Sequence, residues 1–280
     1  MTFSVVGRDG SAGAWGVAVA SKFLAVGSAV PAGDPAAGAL ATQAMANLRY
    51  RPDGLSLLRD GGSAAEVVAA LTAEDPDRAH RQLGIVDRDG GSGSYTGAEC
   101  IPWAGHRIGP DYAVQGNCLV GPEVVEEAER GWLGATEAPS LARRLLVALA
   151  AGDGAGGDKR GRQSAALLVV APGAGYGGGS DVAVDLRVDD HPAPVVELER
   201  LLGLHELYFG TPDPQDLLAL DGEVRDEVAG HLRRCGYADA DTDFASAYER
   251  WLGTENYEER HVEGQIDRVV LGRLREQAGG

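Results

Sequence analysis

The sequence predicts an α+β protein in which two antiparallel sheets are sandwiched between helical layers and followed by a small all-α domain. Two observations predict it. Short apolar strands come in groups separated by pairs of helices, not as the alternating single βα units of a parallel sheet. After "DDHPAP" (189–194) strand patterning stops and only helical spacing remains, in a segment that is also more acidic: residues 1–190 carry 23 acids and 16 bases, residues 191–280 carry 19 and 9. These changes divide the chain into a domain over 1–190 and a helical domain over 191–280, with 189–194 as the linker.

In order, "FSVVG" (3–7) and "AWGVAVA" (14–20) read as a hairpin around "RDGSAG". "VGSAV" (26–30) and "GALATQ" (38–43) supply two further strands. Leu55, Leu58, Ala65, Val68 and Ala69 fall at helical spacing, and Ser63 followed by Glu66 has the form of a capping box. Strands resume in "RQLGIVDRDG", "GSYTG" and "YAVQGNCL" (112–119). Helices over 122–132 and 139–151 follow, and "SAALLVVAP" with "DVAVDLRV" closes the domain as a hairpin across a glycine-rich turn. In the last third, Phe244, Ala247, Tyr248, Trp251 and Leu252 form one apolar helical face, as do Ile266, Val269, Val270 and Leu274.

At 280 residues, 44% apolar and 24% charged, the chain has an ordinary globular composition. A formal net charge of −17 leaves no basic footprint, which argues against nucleic acid as a partner. Cys100, Cys118 and Cys235 form no C-x-x-C pair and leave one over in any pairing, as expected of buried thiols in a reducing compartment. No basic-then-apolar leader precedes the first strand, and no apolar run reaches membrane-spanning length. The expectation is a soluble cytoplasmic protein with a small-molecule substrate and no membrane partner. No cofactor or metal is expected either. "GAGYGG" (173–178) leads from strand to strand and reads as a turn, not a dinucleotide loop. "GDGAGGDKRG" lacks the Gly-Lys-Ser/Thr of a phosphate loop, and the six histidines show no metal-ligand spacing.

Thr2 is the residue that suggests chemistry. If Met1 is removed, one residue carries both a hydroxyl and a free α-amine, whose pKa near ~8 suits a general base for its own hydroxyl. The chain has 23 arginines but two lysines, Lys22 and Lys159. Arginine stays charged, whereas lysine can be tuned by burial, which makes Lys22 notable. It ends the strand expected to pair with the Thr2 strand, so Ser21 and Lys22 are expected to flank Thr2. "ATQAMAN" places Thr42, Gln43 and Asn47 at a strand-to-helix junction, and "QGN" places Gln115 and Asn117 in an apolar strand as candidate oxyanion donors. "GGDKRGRQS" gathers Asp158, Arg160, Arg162, Gln163 and Ser164 before another strand. Taken singly, each of these polar residues has a plain alternative as a turn former or cap.

"MTFSVVGRD", "GVAVASKFLAVGSAVP", "GALATQAMAN", "CIPWAGHRIG", "QGNCLVGPEV" and "GGDKRGRQSAALLVV" together resemble the bacterial domain of unknown function 1028 family, over about 1–190. That family is grouped with the N-terminal-nucleophile (Ntn) hydrolase fold. "VVELERLLGLHELYFGTPDPQDLL" resembles the peptidoglycan-binding-type helical domain that some members carry. The resemblance implies a four-layer αββα sandwich and amide-bond hydrolysis through an acyl-enzyme. On that footing Thr2 attacks the carbonyl of a small amide or ureide-like C–N bond. Lys22 lowers the pKa of the α-amine, and Asn117 or the 42–44 backbone holds the oxyanion. Ser21, Gln43, Asn47, His106, Asp158 and Arg160 line the substrate, with Arg160 and His106 meeting an anionic group. The alternative is a non-catalytic ligand-binding or scaffolding protein on the same fold. Tyr208, Tyr237, Tyr248, Trp251 and Tyr257 cluster in the helical domain, and such aromatics predict a homodimer or higher homo-oligomer.

Overall fold

A computed structural model describes residues 2–239 and 241–279. The chain divides into two compact units, Met1–Leu202 and Gly203–Gly280.

The first unit begins with strands β1 (Thr2–Asp9) and β2 (Ala14–Ser21), the hairpin expected from the opening residues. β3 (Pro31–Asp34) and β4 (Gly38–Ala44) follow, then α1 (Tyr50–Arg59) and α2 (Ala64–Ala73). The Ser63 hydroxyl accepts from the Glu66 amide while the Glu66 carboxylate takes the Ser63 amide, completing the capping box. Next come β5 (Arg81–Asp87), β6 (Ser92–Thr96), β7 (Ala104–Gly109) and β8 (Tyr112–Asn117). Helices α3 (Glu123–Gly134) and α4 (Leu141–Gly154) lead to β9 (Ser164–Val170), β10 (Val182–Val188) and α5 (Pro194–Phe209).

Six strands form one antiparallel sheet in the order β10-β9-β2-β1-β8-β7, and four form the other in the order β3-β4-β5-β6. α3 and α4 cover the outer face of the first sheet, where Phe3, Val5, Val114 and Leu167 meet Trp132, Leu145 and Leu149. α1 and α2 cover the outer face of the second, through Leu40, Leu83 and Ile85 against Leu58 and Val67. The inner faces meet across Val6, Val17, Val19, Ala39, Ala41 and Val86. The layer order is therefore αββα. Gly7 shows how closely the layers approach, because a Cβ there would lie 2.4 Å from the Trp132 ring.

Two sequence expectations for this unit need correction. Residues 26–30 are not a strand: Val26–Ser28 is a 3-10 turn entered through Ala25 in the left-handed region (φ 53°), and the strand begins at Pro31. β7 was not anticipated; its residues are mostly exposed or half-buried, so it lacks an apolar run.

The second unit contains α6 (Gly222–Arg234), α7 (Phe244–Glu255) and α8 (Arg268–Gly279). It is not purely helical, since Leu217–Ala219 (β11) and Gln265–Asp267 (β12) pair as a short ribbon. Trp251, Tyr248, Tyr257, Val228 and Leu274 fill its core, with Tyr208 and Tyr237 packed against them. The aromatics expected to anchor a partner chain are thus occupied by the unit's own interior. Among the described residues no helix is long and apolar enough to cross a membrane, and no cluster of side chains is arranged to hold a metal ion.

Candidate functional site

β1 is a central strand, and its alternation sends Phe3 and Val5 to the helices and Thr2, Ser4 and Val6 between the sheets. In register, Thr2 faces Ser21 on one side and Asn117 on the other, and Ser4 faces Gln115. Gln43 on β4 and Gln82 on β5 face inward from the opposite sheet. One end of the inter-sheet layer is therefore polar, although Gln43, Gln82, Gln115 and Asn117 are each at most 1% exposed.

Burial on this scale demands partners. Gln115 Nε2 donates to Ser4 Oγ (2.7 Å), which donates to Gln43 Oε1 (2.7 Å). Gln43 Nε2 and Asn117 Nδ2 converge on Gln82 Oε1 at 2.8 and 2.9 Å. The same two nitrogens also reach the Thr2 carbonyl, at 3.3 and 3.4 Å. The Thr2 and Ser21 hydroxyls are 3.0 Å apart. Thr2 is thus held by its strand ladders, its side chain and its carbonyl at once. Two acceptors, Gln115 Oε1 and Asn117 Oδ1, have no partner among the described residues. Gln115 takes this position over Gly84, where a Cβ would stand 2.0 Å from Gln115 Oε1 and displace its amide.

From Gln82 the network continues outward. Gln82 Nε2 donates to Thr96 Oγ1 (2.9 Å), which contacts His106 Nδ1 (2.8 Å). Desolvation of the imidazole lowers its pKa. Beyond Ser21, Asp158 is buried and organises a short loop. It accepts the Lys22 amide (3.1 Å) and the Arg160 amide (3.0 Å), and it binds the Arg160 guanidinium through both oxygens, at 3.0 and 2.7 Å. This fork and the nearby Cys118 raise the Arg160 pKa.

The structure gathers Thr2, Ser21, Gln43 and Asn117 in one hydrogen-bonded group, with Asp158 and Arg160 beside it and His106 joined through Thr96 and Gln82. Lys22 is adjacent to Ser21, but its exposed ammonium turns to the Arg162 carbonyl (3.4 Å), and Thr2 is not among its recorded partners. Asn47 belongs elsewhere: its Nδ2 donates to Asp75 (3.0 Å), which also accepts from Tyr50 Oη (2.9 Å) and Arg81 Nε (3.0 Å). Burial alone would raise the Asp75 pKa, but Arg81, Asn47, the Asp77 amide and Tyr50 overcome it and hold the carboxyl well below its ordinary value. Ser4, Gln82 and Thr96 were not anticipated. The available signal was the inward alternation Gln82, Gly84 in "RQLGIVD", a polar and an empty position where apolar side chains normally sit.

Space at Thr2 is limited. The residue is 4% exposed. An antiparallel αββα sandwich with this buried polar end defines a class of fold that is found among solved structures. The crystal structure of protein SPO2555 from Silicibacter pomeroyi, described with family-model DUF1028, is 31% identical to this chain, with a TM-score of 0.66 over 80% of this chain and 92% of that one. Residues 2–198 match the model described as "Family of unknown function (DUF1028)", and the chain belongs to that family. Residues 208–274 match the model described as "Putative peptidoglycan binding domain". No curated protein matches the chain.

Proposed function

We propose that the protein is a cytoplasmic Ntn-type hydrolase of a small amide or ureide-like C–N bond, acting through Thr2 after removal of Met1. The observation that carries this reading is the immobilisation of Thr2: a hydroxyl-bearing residue at the start of a central strand, its hydroxyl on Ser21 and its carbonyl gripped by Gln43 and Asn117. A nucleophile at a chain terminus requires such restraint, because an unrestrained terminus loses the orientation that makes attack efficient. In the proposed cycle the α-amine takes the Thr2 hydroxyl proton as Oγ1 attacks the substrate carbonyl. The C–N bond then breaks, the departing nitrogen takes that proton, and water releases the acyl group. Asn117, whose amide reaches the Thr2 carbonyl, is the oxyanion donor in this reading, and Arg160, fixed by Asp158, meets an anionic group on the substrate. Because Thr2 is buried, the segments around it must move to admit substrate.

Met1 lies outside the described residues, so the first test is intact mass. Loss of the methionine, with turnover on a panel of small amides and ureides that disappears in Thr2→Ala, supports the reading. An active protein that retains Met1 ends it. The burial of Thr2 favours one alternative, a ligand-binding or scaffolding protein on the same fold. In that case Thr2→Ala leaves ligand affinity and phenotype intact. For the second unit the family match raises peptidoglycan binding, and the full chain should then sediment with purified peptidoglycan. A homodimer or higher homo-oligomer is also proposed, and light scattering at micromolar concentration tests it.

A further inference from the structure

The two sheets are unequal. β3, the edge of the four-stranded sheet, packs over β2 and β9, and the six-stranded sheet continues past it to β10. The inner surface at that side is a ledge without a strand opposite. The sequence of β10 reflects this: Val184, Leu186 and Val188 pack toward the helices, while Asp185 and Arg187 on the other face are exposed. Above the ledge, α1 and the 26–30 turn close a cleft of about 630 Å³.

The cleft combines apolar walls with cationic groups. Leu168, Val170 and Leu55 line it, and Leu48 and Val182 stand at its mouth, 52% and 42% exposed. Arg51 donates to the Ser28 carbonyl at 2.7 Å, so its head is fixed in place. The Arg187 stem lies against Gly27, where a Cβ would fall 2.6 Å from Arg187 Cδ. Its guanidinium has Asp185 at 3.7 Å, a weak, half-exposed pair. Two arginines against one aspartate leave a positive excess in a chain of net charge −17. The volume is that of a small-molecule site, and an arginine fork over an apolar floor matches a carboxylate with a hydrocarbon body.

We propose that this cleft binds an organic monocarboxylate with an apolar body, at a site separate from Thr2. The test is calorimetric titration of the full chain with sodium octanoate below its micelle concentration, with 1-octanol and inorganic phosphate as partial probes. Saturable octanoate binding is expected, weakened about tenfold by Arg187→Ala. Binding should be abolished by Val182→Trp, which fills the mouth from an exposed position, with the melting temperature of both variants unchanged. 1-Octanol should bind about tenfold more weakly than octanoate, and phosphate should not compete. The proposal is overturned if octanoate fails to saturate at millimolar concentration, binds both variants like the parent, or is matched by 1-octanol or displaced by phosphate. Thr2→Ala must bind octanoate normally, and loss of binding there moves the ligand to the Thr2 end and overturns the assignment. Because Thr2→Ala is also the variant that tests hydrolysis, the two proposals fail separately.

Discussion

The layer between the sheets has two ends of opposite chemistry and similar dryness. At one, Val6, Val17, Val19, Ala39, Ala41 and Val86 are fully buried; at the other, Ser4, Gln43, Gln82, Gln115 and Asn117 are buried to 1% or less. The apolar end stabilises the sandwich by removing hydrocarbon from water. The polar end gains no such benefit, and each amide there must find partners to offset its desolvation. It comes close but, among the described residues, leaves two carbonyl oxygens unpaired. Well-packed apolar side chains of similar volume can replace a buried polar cluster without loss of stability. The comparison therefore teaches that the polar end exceeds what the fold requires, and Thr2 sits within it.

Four experiments break or sharpen that contrast. The largest effect is expected from Thr2→Ala, which should lower turnover by roughly 10³-fold or more while circular dichroism and melting temperature stay unchanged. Wild-type turnover would remove the functional meaning of the polar end. Next is Asp75→Asn, one strand position beyond the amide cluster through Arg81, at a cost of about 3 kcal/mol at neutral pH in urea unfolding. The sign follows from its depressed pKa: the contribution is fully present above the unfolded carboxyl value near ~3.9 and is lost as pH falls toward the lower folded value. The gap between wild type and variant should therefore close in acid. Gln82→Leu should cost about 2.5 kcal/mol, because Gln43 and Asn117 lose their common acceptor. The cluster of Ser4, Gln43, Gln82, Gln115 and Asn117 contains no titrating side chain, so this loss should be the same at pH 7 and pH 8, where the His106 imidazole joined to it through Thr96 stays neutral. At the apolar end Val17→Ala should cost about 2 kcal/mol, without pH dependence and without effect on turnover. Turnover lost in Val17→Ala as well would mean that the two ends do not act independently.

Much of the architecture is readable in the sequence because it rests on periodicity. The opening hairpin, the Ser63 cap, the "QGN" strand and the Trp251 stripe each follow from residue spacing, and each occurs where the spacing places it. Residues 26–30 mislead because a short apolar run does not reveal that Ala25 turns left-handed before it. β7 escapes because an edge strand with exposed faces needs no apolar pattern. At the candidate site, pairing register alone suffices to bring Ser21 and Asn117 beside Thr2. Contacts between sheets are not encoded in any local pattern. Gln43 touching Thr2 from β4, Gln82 joining two amides, and Asn47 departing to Asp75 all depend on how separate strands stack. Lys22 shows the limit of register reasoning, since it fixes the position of a Cα but leaves a long side chain free to turn outward.

The absence of a side chain at position 84 also constrains the lineage of this sequence. With Gln115 in its present position a Cβ at 84 meets its amide group, so a larger residue there makes that side chain swing aside and give up its bond to Ser4. A shorter residue at 115 also removes the collision, and it too gives up the hydrogen bond to Ser4. Whichever position changes first, the intermediate has a partly unpaired interior. Relatives should fall into two groups, one keeping glycine with glutamine and another that has exchanged both, with mixed combinations rare.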